Sequence, residues 1–256
     1  MGLLDKLRGR APEAGRAPAC PAGKRLYAIG DIHGRADLLR ELHAAIVADA
    51  AAFEGDKQVI YLGDFIDRGD ESRAVLELLI GDPLAGFESI HLMGNHEYAL
   101  LNFLDDPNTI PGWLTWGGRE TLLSYGVRVG PMPTESELPR LRDELERAIP
   151  GHHVRFLEEL RLCHREGDYY FVHAGVRPGV ALEKQRFEDQ LWIREPFTSS
   201  TRDHGAVVVH GHTIAEEVQA QPNRIGIDTG AFHSGILTAL VLEGQERRLI
   251  QTGDRS

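Results

Sequence analysis

The chain has 256 residues, 42 % of them apolar and 26 % charged, with a formal net charge of −11. That balance describes an ordinary globular chain with ample material for a core, and the acidic excess excludes a broad basic face for nucleic acid, which would need Lys and Arg against phosphates. Two cysteines, Cys20 and Cys163, are too few for a disulfide framework, and no apolar run approaches the roughly 18 residues of a membrane span, so a cytoplasmic protein with no membrane partner is expected.

Residues 1–23 are rich in Ala, Pro, Gly and Arg and read as a flexible tail ahead of a single domain over 24–256. The domain starts with "KRLYAIG" (24–30), a short apolar strand ending in Gly. "RADLLRELHAAIVADAAAF" (35–53) carries apolar residues at helical spacing. Strand "KQVIYLG" (57–63), helix "ESRAVLELLIG" (71–81), strand "FESIHLMG" (87–94) and helix "HEYALLNFL" (96–104) follow. Strands alternating with helices predict a sheet with parallel strands and helices on its faces. The middle changes character. The stretches 112–126, 135–149 and 152–162 read as helices with Gly and Pro breaks, a helical insertion or cap within about 105–165. Strands then return at 168–175, 205–213, 223–230, 235–243 and 246–252, and these are expected to build a second sheet packed on the first.

Each early strand ends in Gly and runs at once into polar residues: "GDIHG" (30–34), "GDFIDRG" (63–69) and "GNHE" (94–97). Ligand sites in α/β sheets lie at the carboxyl ends of strands. Asp31 and His33, Asp64, Asp67 and Arg68, and Asn95 and His96 should therefore meet on one rim. His173 in "FVHAG" and His210 and His212 in "VVVHGHT" end later strands in the same way. The set mixes carboxylate, imidazole and one amide carbonyl without thiolate, which suits Mn²⁺, Fe or Zn²⁺ in a catalytic rather than a structural site. It is larger than one ion with an open position needs. Two ions sharing a carboxylate would account for it, and such pairs act on phosphoryl groups. Asn95 would complete a coordination sphere without adding negative charge. Arg68 would offer a bidentate fork to phosphate.

"GDIHG", "GDFIDRG" and "GNHE", followed in order by "VHAG", "LWIRE" and "GHT", resemble the phosphoprotein phosphatase family, in its bacterial and phage-type branch of the calcineurin-like metallophosphoesterases. The resemblance implies an α/β fold, a β-sandwich of two mixed sheets flanked by helices with a helical insertion. It also implies two divalent ions, Mn²⁺ first and Fe or Zn²⁺ as alternatives. Asp31, His33 and Asp64 would hold the first ion, and Asp64, Asn95, His173 and His212 the second. His96 would be the general acid, oriented by Asp67, and Arg68 and Arg194 would bind phosphate together with Asn95. The nucleophile would be a metal-bridging hydroxide, with no phosphoenzyme. Ile214 stands where the wider superfamily often has a further His, which favours the phosphoprotein phosphatase branch. "HAG" around His173 and "IDTGAF" (227–232) differ from the eukaryotic enzymes and fit the bacterial branch.

That branch holds protein phosphatases and symmetrical diadenosine tetraphosphate hydrolases. The expected activity is that of a serine/threonine protein phosphatase, with a symmetrical bis(5'-nucleosyl)-tetraphosphatase or a broad small-molecule phosphoesterase as the alternative. The partner is then a phosphorylated protein or a small phosphoester. A decayed phosphate-binding module would lack a ligand or the acid, yet Asp31, His33, Asp64, Asn95, His96, His173 and His212 are all present. Away from this set, His210 and Asp228 read as supporting or core residues, His43 as structural, and Trp113 and Trp116 as packing residues of the cap.

Overall fold

The fold was described from a computed structural model, which covers residues 17–81, 83–109 and 112–253. Three parallel strands, β1 (Lys24–Ile29), β2 (Asp56–Tyr61) and β3 (Phe87–His91), alternate with helices α1 (Ala36–Ala50), α2 (Ser72–Gly81) and α3 (Asn95–Asp105). The insertion follows as a 3₁₀ turn at Trp113–Trp116, α4 (Gly118–Ser124), α5 (Leu138–Ala148) and α6 (Gly151–Glu158). Strands β4 (Cys163–Glu166) and β5 (Tyr169–Val172), helix α7 (Phe187–Trp192), β6 (Val207–His210), β7 (Gln219–Ala220), β8 (Arg224–Gly226), the short α8 (Ala231–Ser234), β9 (Thr238–Glu243) and β10 (Glu246–Gln251) complete it.

The strands form two five-stranded mixed sheets, in the orders β10-β9-β1-β2-β3 and β4-β5-β6-β8-β7. Alternation along each strand decides what lies between them. On β1, Leu26 and Ala28 face the second sheet, while Tyr27 and Ile29 face the helices. Ile60, Leu62, Ile90 and Leu92 meet Tyr169, Phe171, Val207 and Val209 in the inter-sheet core. The second sheet turns Tyr170, Val172 and Val208 outward, under Leu182, Ile193 and Phe197.

Two expectations change. The C-terminal strands do not all join the second sheet. β9 pairs antiparallel with β1, and β10 with β9, extending the first sheet. β9 is buried throughout its first five residues, four of them apolar, which suits a strand covered on both faces beside β1. The insertion packs into the helical layer. Leu138, Leu141 and Leu145 form an apolar stripe on α5 that enters the same core as α1, α2 and α3, along with Leu122, Tyr125 and Leu157. Each such leucine, fully buried, contributes about 2 kcal/mol. The expected tail 1–23 is shorter than the composition suggested. Residues 1–16 lie outside the described residues, but Ala19 N–H donates to Asp168 Oδ2 at 2.9 Å and Cys20 N–H to Gly244 O at 2.7 Å, with Cys20 buried.

Candidate active site

β1, β2 and β3 end side by side, because they are parallel and in register, and the loops that leave them must turn within one or two residues. The backbone records the cost. Among the described residues, the non-glycine residues with left-handed φ are His33, Asp64, Asp67, Arg68 and His212. Such conformations are costly for side-chain-bearing residues and concentrate at functional sites. All five belong to the motifs read from the sequence. Gly94 is required for a different reason: a Cβ there would collide with the Asp64 carboxylate and its backbone nitrogen.

Asp64 sits at the centre, 1 % exposed. Its Oδ2 lies 3.4 Å from His33 Nε2 and 3.7 Å from His96 Nε2, and its Oδ1 lies 3.4 Å from His173 Nε2. The two oxygens thus face two donor clusters, His33–Asp64–His96 and Asp64–His173–His212. His33 Nδ1 lies 2.8 Å from Ile66 O and His173 Nδ1 lies 3.0 Å from Leu62 O. A carbonyl accepts only an N–H, so each Nδ1 carries the proton and each Nε2 presents a lone pair to the centre. His173 Nε2 stands 2.9 Å from Asn95 Oδ1, one acceptor facing another. His33 Nε2 and His212 Nε2 are buried with no hydrogen-bond partner. Burial holds the pKa of His33, His173 and His212 below the ordinary imidazole value, so they are neutral. For Asp64 burial acts in the opposite sense, but His173, His96 and His33 outweigh it and hold the carboxyl well below the usual range. Neutral imidazoles aimed at a shared carboxylate, with orphaned lone pairs between them, fit divalent cations and nothing else in the ordinary inventory.

Asp31 is also buried, but both its oxygens accept the His212 backbone N–H, at 3.2 and 3.0 Å, and it lies near Asp64 and Asp228. It supports the loop that carries His212, and burial, with the charges of Asp228 and Asp64 beside it, raises its pKa well above the ordinary carboxylate value. Asp228 Oδ1 accepts Gly230 N–H at 2.9 Å, and its carboxyl lies beside Asp31. His210 packs edge-on against Phe197, outside both clusters.

His96 differs from the other imidazoles. Its Nδ1 is 2.6 Å from Asp67 Oδ2, and its Nε2 faces the cleft, 3.3 Å from Arg68 Nη2. Burial lowers its pKa, yet Asp64 and Asp67 override that and raise it to about 9. Asp67 is itself held rigidly: Trp113 Nε1–H donates to Oδ2 at 2.8 Å and Thr121 Oγ1–H to Oδ1 at 2.5 Å. The insertion therefore reaches the site through Trp113 and Thr121. Arg68 donates from Nε to Trp116 O at 3.4 Å and lies over the Phe232 ring, 4.8 Å from its centroid. Arg194, on the segment after α7, donates to His212 O at 3.5 Å.

Glu97 is the functional residue the sequence reading missed. Its carboxylate accepts the backbone N–H groups of Asp64 (2.8 Å), Phe65 (2.7 Å), Ile66 (3.3 Å) and Gly94 (3.0 Å), which pins the Asp64 loop to the start of α3. Burial and the nearby Asp64 raise its pKa to about 8 against the pull of those donors. The available signal was an acid three residues into a helix after Gly94, the spacing of a capping carboxylate. Arg68, Asn95, His96, Thr115, Trp116, Trp192, Arg194 and His212 line a cleft of about 410 Å³ over the centre. Trp116, expected as packing, is 40 % exposed on this cleft, while Trp113 is the buried one.

Residues 24–225 match the calcineurin-like phosphoesterases. The chain belongs to that family. It is a metallophosphoesterase, and the family uses divalent metals, which the two histidine clusters fit. Its relatives include the symmetrical bis(5'-nucleosyl)-tetraphosphatase of Nitrosospira multiformis, 26 % identical over 89 % of this chain and 95 % of that protein. The asymmetrical bis(5'-nucleosyl)-tetraphosphatase PrpE of Anoxybacillus flavithermus is 24 % identical over 83 % of this chain and 88 % of its own length. The cold-active protein-tyrosine phosphatase of a psychrophilic Shewanella shares the fold, with a TM-score of 0.55 at 18 % identity over 96 % of this chain and 87 % of that one. Among the described residues, no helix of this metallophosphoesterase is long and apolar enough to cross a membrane.

Proposed function

We propose that this metallophosphoesterase is a symmetrical dinucleoside tetraphosphate hydrolase. The observation that carries the reading is the pair of tryptophans in the phosphate cleft. Trp116 stands beside Arg68, whose guanidinium it accepts through its carbonyl, and Trp192 lies two residues before Arg194. Each arginine has an aromatic neighbour able to stack a nucleobase, and base–aromatic stacking is worth about 1–3 kcal/mol per base. A phosphoserine or phosphothreonine peptide, the activity first expected, makes no use of two such rings. Relatives named as bis(5'-nucleosyl)-tetraphosphatases support the same reading.

In this reading Arg68 and Arg194 grip the polyphosphate as bidentate forks. Asn95 adds a neutral donor beside His173, so the site does not repel an anionic substrate. Two divalent ions held by Asp31, His33, Asp64, Asn95, His173 and His212, Mn²⁺ by preference, would supply charge neutralisation and an activated water. His96 gives the proton on Nε2 to the leaving phosphate oxygen, and Asp67 keeps the ring oriented and charged. Water cleaves the central phosphoanhydride and two nucleoside diphosphates leave. The two free cysteines, one of them buried, fit the cytoplasm.

The stacking role has its own test. Trp116→Ala and Trp192→Ala are each expected to raise KM for diadenosine tetraphosphate about 5- to 100-fold, from the loss of one stack. KM for an aryl phosphate should change far less. Equal effects on both substrates would assign the rings to the general architecture of the cleft and remove the support they give.

A further inference from the structure

A third donor cluster lies outside the phosphate site. Glu77 stands on α2, and His152 and His153 occupy the first turn of α6, which packs against it. His153 Nε2 is 3.2 Å from Glu77 Oε1, His152 Nε2 is 3.8 Å from Glu77 Oε2, and the three donor atoms all lie within 4.8 Å of one another. Two neighbouring ligands on a tetrahedral ion with bonds of about 2.0 Å stand about 3.3 Å apart. The His153–Glu77 separation already has that value, and the exposed His152 closes the rest by a small side-chain rotation.

The second observation is at His153. The residue is fully buried, yet its Nε2 has no hydrogen-bond partner, because Glu77 lies at contact distance without hydrogen-bonding alignment. Its other nitrogen, Nδ1, meets the Tyr125 hydroxyl at 2.7 Å, a contact that fixes the ring plane from behind. Metal-bound histidines characteristically have such a partner on the distal nitrogen. In the tautomer that donates from Nδ1 to the Tyr125 hydroxyl, Nε2 presents its lone pair toward Glu77 and His152. The competing partner is weak: Arg73 Nε approaches Glu77 Oε1 only to 4.0 Å. Glu77 and His152 are each about half exposed, which leaves room for water as a fourth ligand.

We propose that Glu77, His152 and His153 form a peripheral site for a transition-metal ion of the Zn²⁺ class, tying α6 to α2. Two imidazoles with one carboxylate select Zn²⁺, Ni²⁺ or Cu²⁺ over Mg²⁺ or Mn²⁺, so the site is distinct in preference from a phosphate centre loaded with Mn²⁺. Its role is to staple α6 of the insertion, which also carries Trp113 and Thr121, to α2.

The test uses the full chain, stripped of metal, equilibrated with micromolar Zn²⁺, desalted and measured by elemental analysis. Wild type should hold one zinc equivalent more than Glu77→Gln or His152→Asn. Zn²⁺ should raise the melting temperature of wild type more than that of either variant. Aryl phosphate hydrolysis with Mn²⁺ should be unchanged in both, since neither residue touches the cleft. Tyr125→Phe keeps the ring and loses the hydroxyl, and should weaken zinc binding at this site about 10- to 100-fold. Glu77 and His152 are exposed, so both variants should fold, which circular dichroism checks. Equal zinc content in wild type and both variants would overturn the proposal and leave the cluster as a surface ion pair.

Discussion

His96 and Asn95 are adjacent in the chain and do different work because the start of α3 points them to different neighbours. Asn95 Oδ1 meets His173, whereas His96 meets Asp67 and the open cleft. If His96 is the acid, His96→Asn should lower kcat about 10²- to 10⁴-fold, with KM and the far-ultraviolet circular dichroism little changed. Asp67→Asn should lower kcat less and should also weaken the hold on Trp113 and Thr121. Full activity in His96→Asn would contradict the assignment. At this scale the sequence was most legible. A residue that must adopt a left-handed backbone and also carry a reactive group leaves a short, strict motif, and His33, Asp64, Asp67, Arg68 and His212 could all be named from such motifs. Glu97, Thr121 and Trp113 could not. They act by hydrogen-bonding to loops 31 to 54 residues away, and only Glu97 carries a local mark, its capping position.

At the level of elements, the parallel order of β1, β2 and β3 followed from alternation with helices, but the fate of β9 and β10 did not. A strand that returns antiparallel to β1 has the same apolar pattern as one that joins the second sheet. The choice is made by long-range partners. One of them is Asp49, at the end of α1. It accepts Tyr27 OH at 2.6 Å, pairs with Arg25 at 3.2 Å, and is gripped by both Arg248 guanidinium nitrogens from β10. Burial raises its pKa, but Arg248, Tyr27 and Arg25 prevail and hold it below the ordinary carboxylate value. A depressed folded-state pKa stabilises the protein above the unfolded value of about 3.9 and loses that contribution as the pH falls through the folded value. Asp49→Asn should therefore cost about 1–2 kcal/mol at pH 7. The gap to wild type should narrow below about pH 4. Urea unfolding at pH 7 and pH 3.5 measures this, and a gap independent of pH would show that packing rather than charge is involved. Where the insertion packs was not legible for a related reason. Its helices were visible from their spacing, but an apolar stripe such as Leu138, Leu141 and Leu145 does not say which surface it covers.

Across the whole molecule, two sheets bring strand ends to one rim, a helical layer carries the insertion to that rim, and α7 with the segment after it brings Trp192 and Arg194 to the cleft. The metal-ligating chemistry was readable because it depends on residue type at strand ends. The substrate was not, because it depends on which aromatic side chains the insertion and α7 leave exposed, and exposure is decided by packing. That is why the proposed substrate is a dinucleotide rather than a phosphorylated protein once Trp116 is seen on the cleft. The most direct measurement compares kcat/KM for diadenosine tetraphosphate and for a phosphoserine peptide, with Mn²⁺ present and the nucleotide products separated by chromatography. The account predicts a preference for the dinucleotide of about 100-fold or more, the worth of roughly 3 kcal/mol of stacking, with adenosine diphosphate as the sole nucleotide product. Equal or faster turnover of the phosphopeptide would contradict it, and paired adenosine triphosphate and monophosphate products would contradict the symmetrical cleavage.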